Sequence, residues 1–106
     1  MAKLPKSFRT RNHTTEQFRK LYAKLPPHIK AAVRNSCVLF NKDPQHPSLR
    51  LHELEDRKKS SHKNKSWSVS ATAQHRAIFV VNDAGINIWY WIGSHADYDT
   101  FTGGKP

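Results

Sequence analysis

Cysteine is nearly absent from this sequence, and long apolar runs are missing. The single cysteine, Cys37, excludes an internal disulfide and fits a reducing compartment. No Cys-X-X-Cys pair is present and the seven histidines are scattered, so we expect neither a zinc site nor any cofactor. No apolar run approaches the roughly 18 residues of a membrane span, and no apolar segment follows the basic N-terminal residues as in a secretory signal. We therefore expect a cytoplasmic protein that has no membrane partner.

Acidic residues are also scarce. The 106 residues include 18 lysines and arginines but only 8 aspartates and glutamates, which gives a formal net charge of +10. Residues 1–65 hold 16 of the basic and 5 of the acidic residues, so the charge is concentrated there. Such a field favours a polyanionic partner (nucleic acid, a ribonucleoprotein or an acidic protein), although a basic surface also serves solubility alone. The length suits one domain with one hydrophobic core.

Two helices are predicted after a flexible basic arm at residues 1–13. Thr14 and Gln17 have the spacing of a capping box, which places the start of the first helix at Thr14. Pro26 ends this helix, and Pro27 suits the first position of a second one. The apolar stripes of the two helices comprise Phe18, Leu21, Tyr22 and Leu25, then Ile29, Ala32, Val33, Ser36, Cys37 and Phe40. We interpret Cys37 as a small core residue rather than a nucleophile.

Alternating patterns predict β-strands from residue 49 onward. Leu49 and Leu51 alternate with Arg50 and His52, as in a short strand with one buried face. The strongly basic segment 57–65 contains no group that we expect to be buried, and we predict a mobile loop or hairpin tip there. Three further strands are predicted, the last two joined by a tight turn at Asn82-Asp83-Ala84-Gly85; they cover residues 67–72, 76–81 and 86–92.

The last predicted strand has apolar residues on both faces, which is typical of a central strand or of an aromatic functional face. One face carries Trp89 and Trp91, and the other carries Ile86, Ile88, Tyr90 and Ile92. Ser94 is placed to cap a short helical turn with His95, Tyr98 and Phe101, and residues 102–106 are predicted to be a flexible tail. The predicted fold class is α+β, with an N-terminal helical hairpin packed on a twisted antiparallel sheet and a short C-terminal helical turn.

Three stretches of the sequence, taken in order, resemble a known family. They read HPSLRLHEL, WSVSATAQHRAIFVV and INIWYWIGSHADYD. The most specific parts are W-S-V followed by R-A-I-F, and the terminal W-I-G-S-H-x-x-Y-D. Together they resemble the RelE/ParE superfamily of toxins from bacterial toxin–antitoxin systems, over about residues 14–101. The resemblance implies a single domain over that range, with two helices on one side of a twisted antiparallel sheet.

The resemblance also implies a function. RelE-like members cleave mRNA in the ribosomal A site without a metal, whereas ParE-like members bind a DNA topoisomerase and keep no nuclease residues. The RelE-like branch implies the ribosome and mRNA as partners. It also implies a neutralising antitoxin, which we expect to be an acidic chain that wraps the basic face and displaces a C-terminal element. ParE-like inhibition by binding and a non-toxic basic RNA-binding domain are the alternatives.

Metal-free RNA cleavage through the neighbouring 2′-hydroxyl needs a base, an acid and cations around the phosphorane. We predict that Arg76 binds the scissile phosphate, that His95 acts as acid or base, and that Tyr98 orients the substrate or donates a proton. His52 is a further catalytic candidate, since the family often places basic groups at its position. The residues predicted to contact RNA or the ribosome are Arg50, Arg57, Lys58, Lys59, Lys63 and Lys65.

Structural roles compete with these assignments. The basic segment also fits a solvated loop, and His95 and Tyr98 fit a capped C-terminal turn. Trp89 and Trp91 are interpreted as core residues in preference to base-stacking platforms, because large aromatic side chains dominate cores. The sequence departs from the RelE-like pattern at Ser70, where several nuclease members carry arginine. It departs again before the SLRLHEL stretch, where some members carry an acidic base; the candidate substitutes are His52, His75 and the lysine loop.

Overall fold

A computed structural model describes residues 11–58 and 60–103. Its elements are β1 Asn12–Thr14, α1 Glu16–Ala23, α2 Pro27–Lys42, a 3-10 turn Pro47–Leu49, β2 His52–Glu53, β3 Trp67–Thr72, β4 His75–Val81, β5 Asn87–Ser94 and α3 His95–Phe101. The strands form one sheet in the order β1-β5-β4-β3-β2, in which β1 runs parallel to β5 and the other pairs are antiparallel. The predicted α+β class is confirmed, but the sheet is mixed. None of the helices in this part of the chain has the length and apolar character of a membrane span.

Strand β1 is not predicted by the sequence, because it falls within the expected basic arm. The Asn87 N–H donates to the Arg11 oxygen at 2.8 Å, and the Thr15 N–H donates to the Trp89 oxygen at 3.0 Å. The Asn12 side-chain oxygen accepts from Asn87 Nδ2 at 3.0 Å and from Trp89 Nε1 at 2.9 Å. These polar contacts join residues far apart in sequence, so an apolar pattern does not reveal them. The rest of the predicted arm (1–10) and the end of the predicted tail (104–106) lie outside the described residues.

Helix α1 begins one residue later than the predicted capping box. Thr15, not Thr14, is the N-cap, and its Oγ1 accepts a hydrogen bond from the Phe18 N–H at 3.1 Å. Thr14 still belongs to β1, and its backbone oxygen accepts from Arg19 Nη1 at 2.6 Å. The predicted apolar stripe is confirmed, because its members pack against buried residues of the sheet: Phe18, Leu21, Tyr22 and Leu25 meet Ala71, Ala77 and Ile92.

Four aromatic rings form the centre of the core between α2 and the sheet. Phe79 is fully buried, and its ring centroid lies 4.5 Å from that of Trp89, 5.8 Å from Phe40 and 6.5 Å from Trp67. Phe40 and Trp89 meet edge to face at 5.3 Å. Aromatic pairs of this kind add about 0.5–1.5 kcal/mol beyond the burial of their area. Trp89 is therefore a core residue, as predicted, and its contact with Phe40 ties α2 to β5.

Cys37 contradicts its predicted place in the core. It is exposed, although Phe40 of the same predicted stripe is buried. Helix α1 packs mainly on β5 and α2 on β3, so the two helices stand apart and part of α2 is left uncovered. The predicted start of α2 at Pro27 is confirmed, and the helix ends at Lys42.

Strand β5 contains a bulge that the alternation of its residues does not reveal. Phe79 pairs with Trp89 and Ile78 pairs with Trp91, so Tyr90 is an extra residue. Trp89 therefore packs on the side of α1 and α2, whereas Tyr90 and Trp91 pack on the side of α3. The prediction that both tryptophans share one face, opposite Tyr90, is wrong, because strict alternation assumes an unbroken strand.

Helix α3 covers the second face of the sheet with aromatic rings. Ser94 caps it as predicted, since its Oγ accepts from the Asp97 N–H at 3.2 Å. The Phe101 ring stacks on Trp91 with centroids 4.7 Å apart and planes at 18°. The Trp91 indole in turn covers Gly93, where an added Cβ would lie 2.7 Å from the indole Cη2. Glycine at this position makes room for the tryptophan ring.

The segment before β2 is less regular than predicted. Leu49 and Leu51 are buried while Arg50 and His52 are exposed, as the alternation predicts. Leu49 nevertheless belongs to the 3-10 turn, and Arg50 adopts a left-handed conformation with φ of 48°. The predicted strand is therefore reduced to the two residues of β2.

The β3–β4 turn holds a histidine whose surroundings disfavour protonation. His75 opens β4, and its Nδ1 is hydrogen-bonded to Thr72 Oγ1 at 3.0 Å. Partial burial, the neighbouring Arg76 guanidinium and nearby His28 all lower the pKa of His75 from its usual 6.5. The folded protein therefore takes up a proton at this position less readily than the unfolded chain.

Replacing Thr15 with alanine removes the hydrogen-bond acceptor at the N-cap of α1. We expect the free energy of unfolding to fall by about 1 kcal/mol, the usual contribution of an N-cap hydroxyl. Thr14→Ala is the matched control: its hydroxyl accepts a solvent-exposed bond from Arg19, and we expect a loss below about 0.5 kcal/mol. Urea denaturation measures both losses in the free energy of unfolding. A larger loss for Thr14→Ala than for Thr15→Ala would show that Thr14 is the N-cap, as the sequence predicts.

The lowered pKa of His75 makes stability depend on pH. Its contribution is present above about pH 6.5 and is lost as the pH falls, because the unfolded chain then binds the proton more readily. His75→Asn keeps a polar side chain that does not titrate, so its stability should decline less than that of the wild type between about pH 7.5 and 5. Urea denaturation across this range measures the difference, and parallel declines would show that other groups are responsible.

Candidate active site and nucleic-acid interface

The register of β3, β4 and β5 brings two candidate residues to one end of the sheet. Arg76 pairs with Ser70 on β3 and with Gly93 on β5. His95 directly follows β5, and its backbone N–H donates to the Gln74 oxygen in the β3–β4 turn at 2.8 Å. Arg76 and His95 therefore flank the same turn.

Arg76 has a structural role in this turn. Its Nη1 donates to the backbone oxygens of Thr72, Ala73 and His75 at 3.2, 3.3 and 3.1 Å. The side chain is half-buried, and Arg76 is the only cation that the sequence places between residues 66 and 103. A guanidinium has five N–H donors in a planar fork, more than these contacts through Nη1 use.

His95 and Tyr98 lie together on α3. His95 Nε2 is 3.6 Å from Asp99 Oδ2, one turn along the helix, and both side chains are partly exposed. The imidazole ring stacks on Tyr98 with centroids 6.3 Å apart and planes at 23°. The imidazole therefore has a carboxylate and an aromatic ring as neighbours on its own helix. Across the described residues, no three His, Cys, Asp or Glu side chains are grouped so that they could hold a metal ion.

His52 lies on the same face of the sheet as Arg76, on the other side of β3. It pairs with Ser68 and Arg76 pairs with Ser70, and two positions separated by one residue share a face. Strand spacing and rise place the two Cα atoms about 12 Å apart. His52 Nδ1 is 2.9 Å from the Arg50 oxygen. Because a carbonyl oxygen only accepts, Nδ1 carries the proton, and Nε2 is the acceptor in the neutral ring.

This face of β3 is buried, although its residues are the serines of an alternating stretch. Ser68 is fully buried and Ser70 is 8% exposed. Helix α3 and Leu54 cover the neighbouring Ile78, Tyr90 and Trp91 of β4 and β5. At the edges of the covered area His52 is exposed and Arg76 is half-buried. Ser70 pairs with Arg76, at the position where several RelE-like nucleases are expected to carry arginine.

The basic segment 57–65, which we call the cationic loop, borders the far end of α3. Its Ser61 N–H donates to the Phe101 oxygen at 2.8 Å. Arg57 pairs with the exposed Glu55 at 3.4 Å. His62 is only 6% exposed, so the prediction that nothing in this segment is buried is wrong. The exposed cations of the loop are Arg57, Lys58, Lys63 and Lys65, while Lys59 lies outside the described residues.

An apolar groove of about 280 Å³ lies between α1 and α2, on the opposite face of the sheet. We call it the interhelical groove. Val69, Ala71 and Ala77 contribute its floor from the sheet, and Arg19 and Arg34 also line it. The sequence predicts both apolar stripes that face this groove. It does not predict that they stay apart, because that depends on the strands that the helices pack against, β5 for α1 and β3 for α2.

Sequence comparison finds no relative, since no family model and no curated protein matches this chain. Solved structures do match. YafQ from Escherichia coli BL21(DE3) superposes with a TM-score of 0.63 at 13% identity, over 85% of this chain and 98% of YafQ. The RelE–RelB complex from Pyrococcus horikoshii OT3 gives 0.60 at 14%, over 80% and 93% of the two chains. The RelBE2 toxin–antitoxin complex from Mycobacterium tuberculosis gives 0.60 at 19%, over 82% and 99%. At these identities the likeness concerns the architecture, and the chain has the fold of the RelE/ParE-like toxins.

Proposed function

We propose that this protein is the toxin of a toxin–antitoxin pair and that it cleaves mRNA on the ribosome without a metal. The fold supports the toxin role, since proteins that share it include the RelBE2 toxin–antitoxin complex and the RelE–RelB complex. One observation carries the nuclease proposal: His52, Arg76 and His95 are arranged around one face of the sheet.

The proposed reaction uses the nucleophile that RNA itself carries. His52 takes the proton of the 2′-hydroxyl on Nε2, and the 2′-oxygen attacks the adjacent phosphorus. The bond between phosphorus and the 5′-oxygen then breaks, which leaves a 2′,3′-cyclic phosphate. The departing 5′-oxygen receives a proton from His95, whose ring is oriented by Asp99.

Arg76 would bind the scissile phosphate in this reaction. Negative charge that develops on the phosphorane is stabilised most by a donor that is already in place. The contacts of Nη1 with the turn carbonyls position the guanidinium before RNA arrives, and the other N–H groups of its fork match two phosphate oxygens. Tyr98, stacked on His95, would orient the neighbouring nucleoside.

Docking on the ribosome would rest on charge. The exposed cations of the cationic loop lie at one end of α3. His95, the proposed acid, lies at the other end. Arg50 is exposed beside His52. A surface of this kind binds the RNA backbone by displacing its counterions, which steers the protein without fixing the sequence that it cuts.

We further propose that an acidic antitoxin binds the interhelical groove. Its apolar floor and the two arginines that line it suit an amphipathic segment with carboxylates at its edges. A second copy of this chain is a poor occupant, because each copy carries a net charge of +10. Displacement of a C-terminal element stays a prediction; if it occurs at α3, it would uncover Trp91 and move His95 away from Arg76.

Inhibition by binding alone, in the ParE manner, is the second candidate. Ser70 favours it, because the central position of the proposed site carries a small hydroxyl beneath α3 instead of a guanidinium. A protein of this kind would act by occupying its target, and its toxicity would not depend on the imidazole of His95.

Mapping mRNA cleavage in a reconstituted translation reaction, with and without ribosomes, tests the nuclease proposal. We expect the wild-type protein to cut only when ribosomes are present. His95→Ala removes the proposed acid, and Arg76→Lys keeps the charge but loses the planar fork. Each substitution should slow cleavage by roughly 100-fold or more.

His13→Ala is the matched control for His95→Ala, since this exposed histidine lies on β1 at the edge of the sheet. Circular dichroism should show that Arg76→Lys remains folded, because Arg76 also holds the β3–β4 turn. Intact mRNA at stoichiometric protein, or cleavage that ignores His95→Ala, would contradict the nuclease and favour inhibition by binding.

The groove proposal is tested by co-expression with the proteins encoded by the two adjacent genes, of which the proposal requires one to be acidic and to bind this chain. We expect the partner to relieve the growth arrest that the wild type causes. Cys37→Glu places a carboxylate in the groove and should weaken the partner's binding by about tenfold or more, with mRNA cleavage unchanged. Asn35→Glu is the matched control, an exposed position on α2 outside the groove. Equal binding by both variants would place the antitoxin on another surface.

A further inference from the structure

Buried side chains beneath the cationic loop tie it to the sheet. Tyr90 is 5% exposed and Ser66 is fully buried. Tyr90 lies on the side of the sheet opposite Trp89, and the bulge in β5 places Trp91 beside it. The Tyr90 ring also lies under the Lys63 ammonium, with Nζ 5.5 Å from the centroid. The loop is therefore attached to the central strands of the fold.

Three hydrogen bonds among Lys63, Ser66 and Tyr90 form a closed ring, and the donor and acceptor of each bond can be assigned. The Ser66 hydroxyl donates to the Lys63 oxygen at 2.5 Å, which uses its single proton. The Tyr90 hydroxyl must then donate to Ser66 Oγ, 2.6 Å away, and it accepts from the Lys63 N–H at 2.8 Å. Burial raises the pKa of Tyr90, so the hydroxyl keeps the proton that it donates. Each bond in such a ring polarises the next.

Two further contacts hold the loop at its flanks. His62 Nε2 donates to the Glu55 oxygen at 2.8 Å, and the imidazole is buried. The Lys65 N–H donates to Asp56 Oδ1 at 2.8 Å, with Lys65 in a left-handed conformation at φ of 60°. The backbone is thus fixed at several points, while the long charged side chains extend into solvent.

The exposed composition of the loop indicates what it binds. Apart from the buried His62, its described residues are arginine, lysine, serine and asparagine, with no apolar side chain that could anchor a protein partner. Cations without apolar neighbours suit the phosphate backbone of RNA. A loop that is already ordered loses little conformational entropy when it binds.

We propose that the Lys63–Tyr90–Ser66 ring preorganises the cationic loop to bind the RNA phosphate backbone, with Tyr90 as a positioning residue. This inference rests on the proposed function, which it deepens by assigning the RNA contact to one surface. Tyr90 does not touch RNA itself. It acts by holding the Lys63 backbone, so that the lysines of the loop meet successive phosphates together.

The test is RNA binding by the full chain with and without the Tyr90 hydroxyl. The probe is a fluorescein-labelled single-stranded 2′-O-methyl RNA of about 20 nucleotides, which lacks the 2′-hydroxyl that cleavage needs; fluorescence anisotropy follows binding as KCl is raised. Tyr90→Phe should weaken binding roughly 2- to 10-fold and reduce the salt slope by about one. Hydrogen exchange of the amides in residues 61–65 should become faster.

Ser66→Ala breaks the same ring from its other side and keeps the inference testable if Tyr90→Phe folds poorly. The double variant should lose little more affinity than either single variant, because both remove one unit. Tyr22→Phe is the matched control, since that hydroxyl is bonded to Arg34 and Lys30 in the helical hairpin. Faster loop exchange with unchanged RNA affinity in the folded variants would overturn the proposal.

Three further outcomes bear on the inference. If polyglutamate binds as tightly as the RNA probe and is equally sensitive to Tyr90→Phe, the loop is a surface for acidic protein and the inference fails. Wild-type protein that does not bind the probe overturns it as well. RNA binding that depends on Tyr90, in a protein that cuts no mRNA on ribosomes, would remove the nuclease and leave this inference standing.

Discussion

A bulge in β5 determines which aromatic side chains pack on each face of the sheet. The extra residue at Tyr90 lets a single strand send Trp89 to the helical hairpin and Trp91 to α3. Without the bulge, alternation from Trp89 would turn Trp91 toward α1 and α2, and Phe101 of α3 would lose the ring on which it stacks. Tyr90 lies beside Trp91 on the side of α3, where Ser66 and Lys63 supply the hydrogen-bond partners that a buried hydroxyl needs. Both halves of the core depend on this irregularity.

The candidate catalytic groups are held by contacts that the fold needs in any case. Arg76 closes the β3–β4 turn, the first residue of α3 is His95, and His52 is oriented by the oxygen of Arg50. Side chains that also make structural contacts are fixed in position before a ligand arrives. This favours functions, such as acid–base catalysis, that need a fixed side-chain orientation. Removing one of these side chains therefore disturbs the fold as well as the candidate site. Conservative replacements separate the two effects better than alanine does.

Local patterns in the sequence predict much of the fold. The helical stripes, the start of α2 at Pro27, the turn at residues 82–85 and the Ser94 cap are each fixed by neighbours along the chain. The failures involve partners distant in sequence. Strand β1 is held by polar contacts of Asn12, and Cys37 is exposed because α1 packs on β5 and α2 on β3. For the site, register explains why Arg76 and His95 flank one turn, but nothing in a run of lysines and serines reveals that His62 and Ser66 are buried.

The packing of Trp91 over Gly93 couples two positions by size. The indole occupies the space where any side chain at position 93 would begin, at 2.7 Å from the nearest ring atom. Because that ring also carries Phe101 of α3, a larger residue at 93 would lift the indole and loosen the helix that bears His95. Substitutions at these two positions therefore depend on each other. A residue larger than glycine fits at position 93 only after Trp91 has been replaced by a smaller residue. The order of substitutions, and not their number, limits how this part of the chain can change.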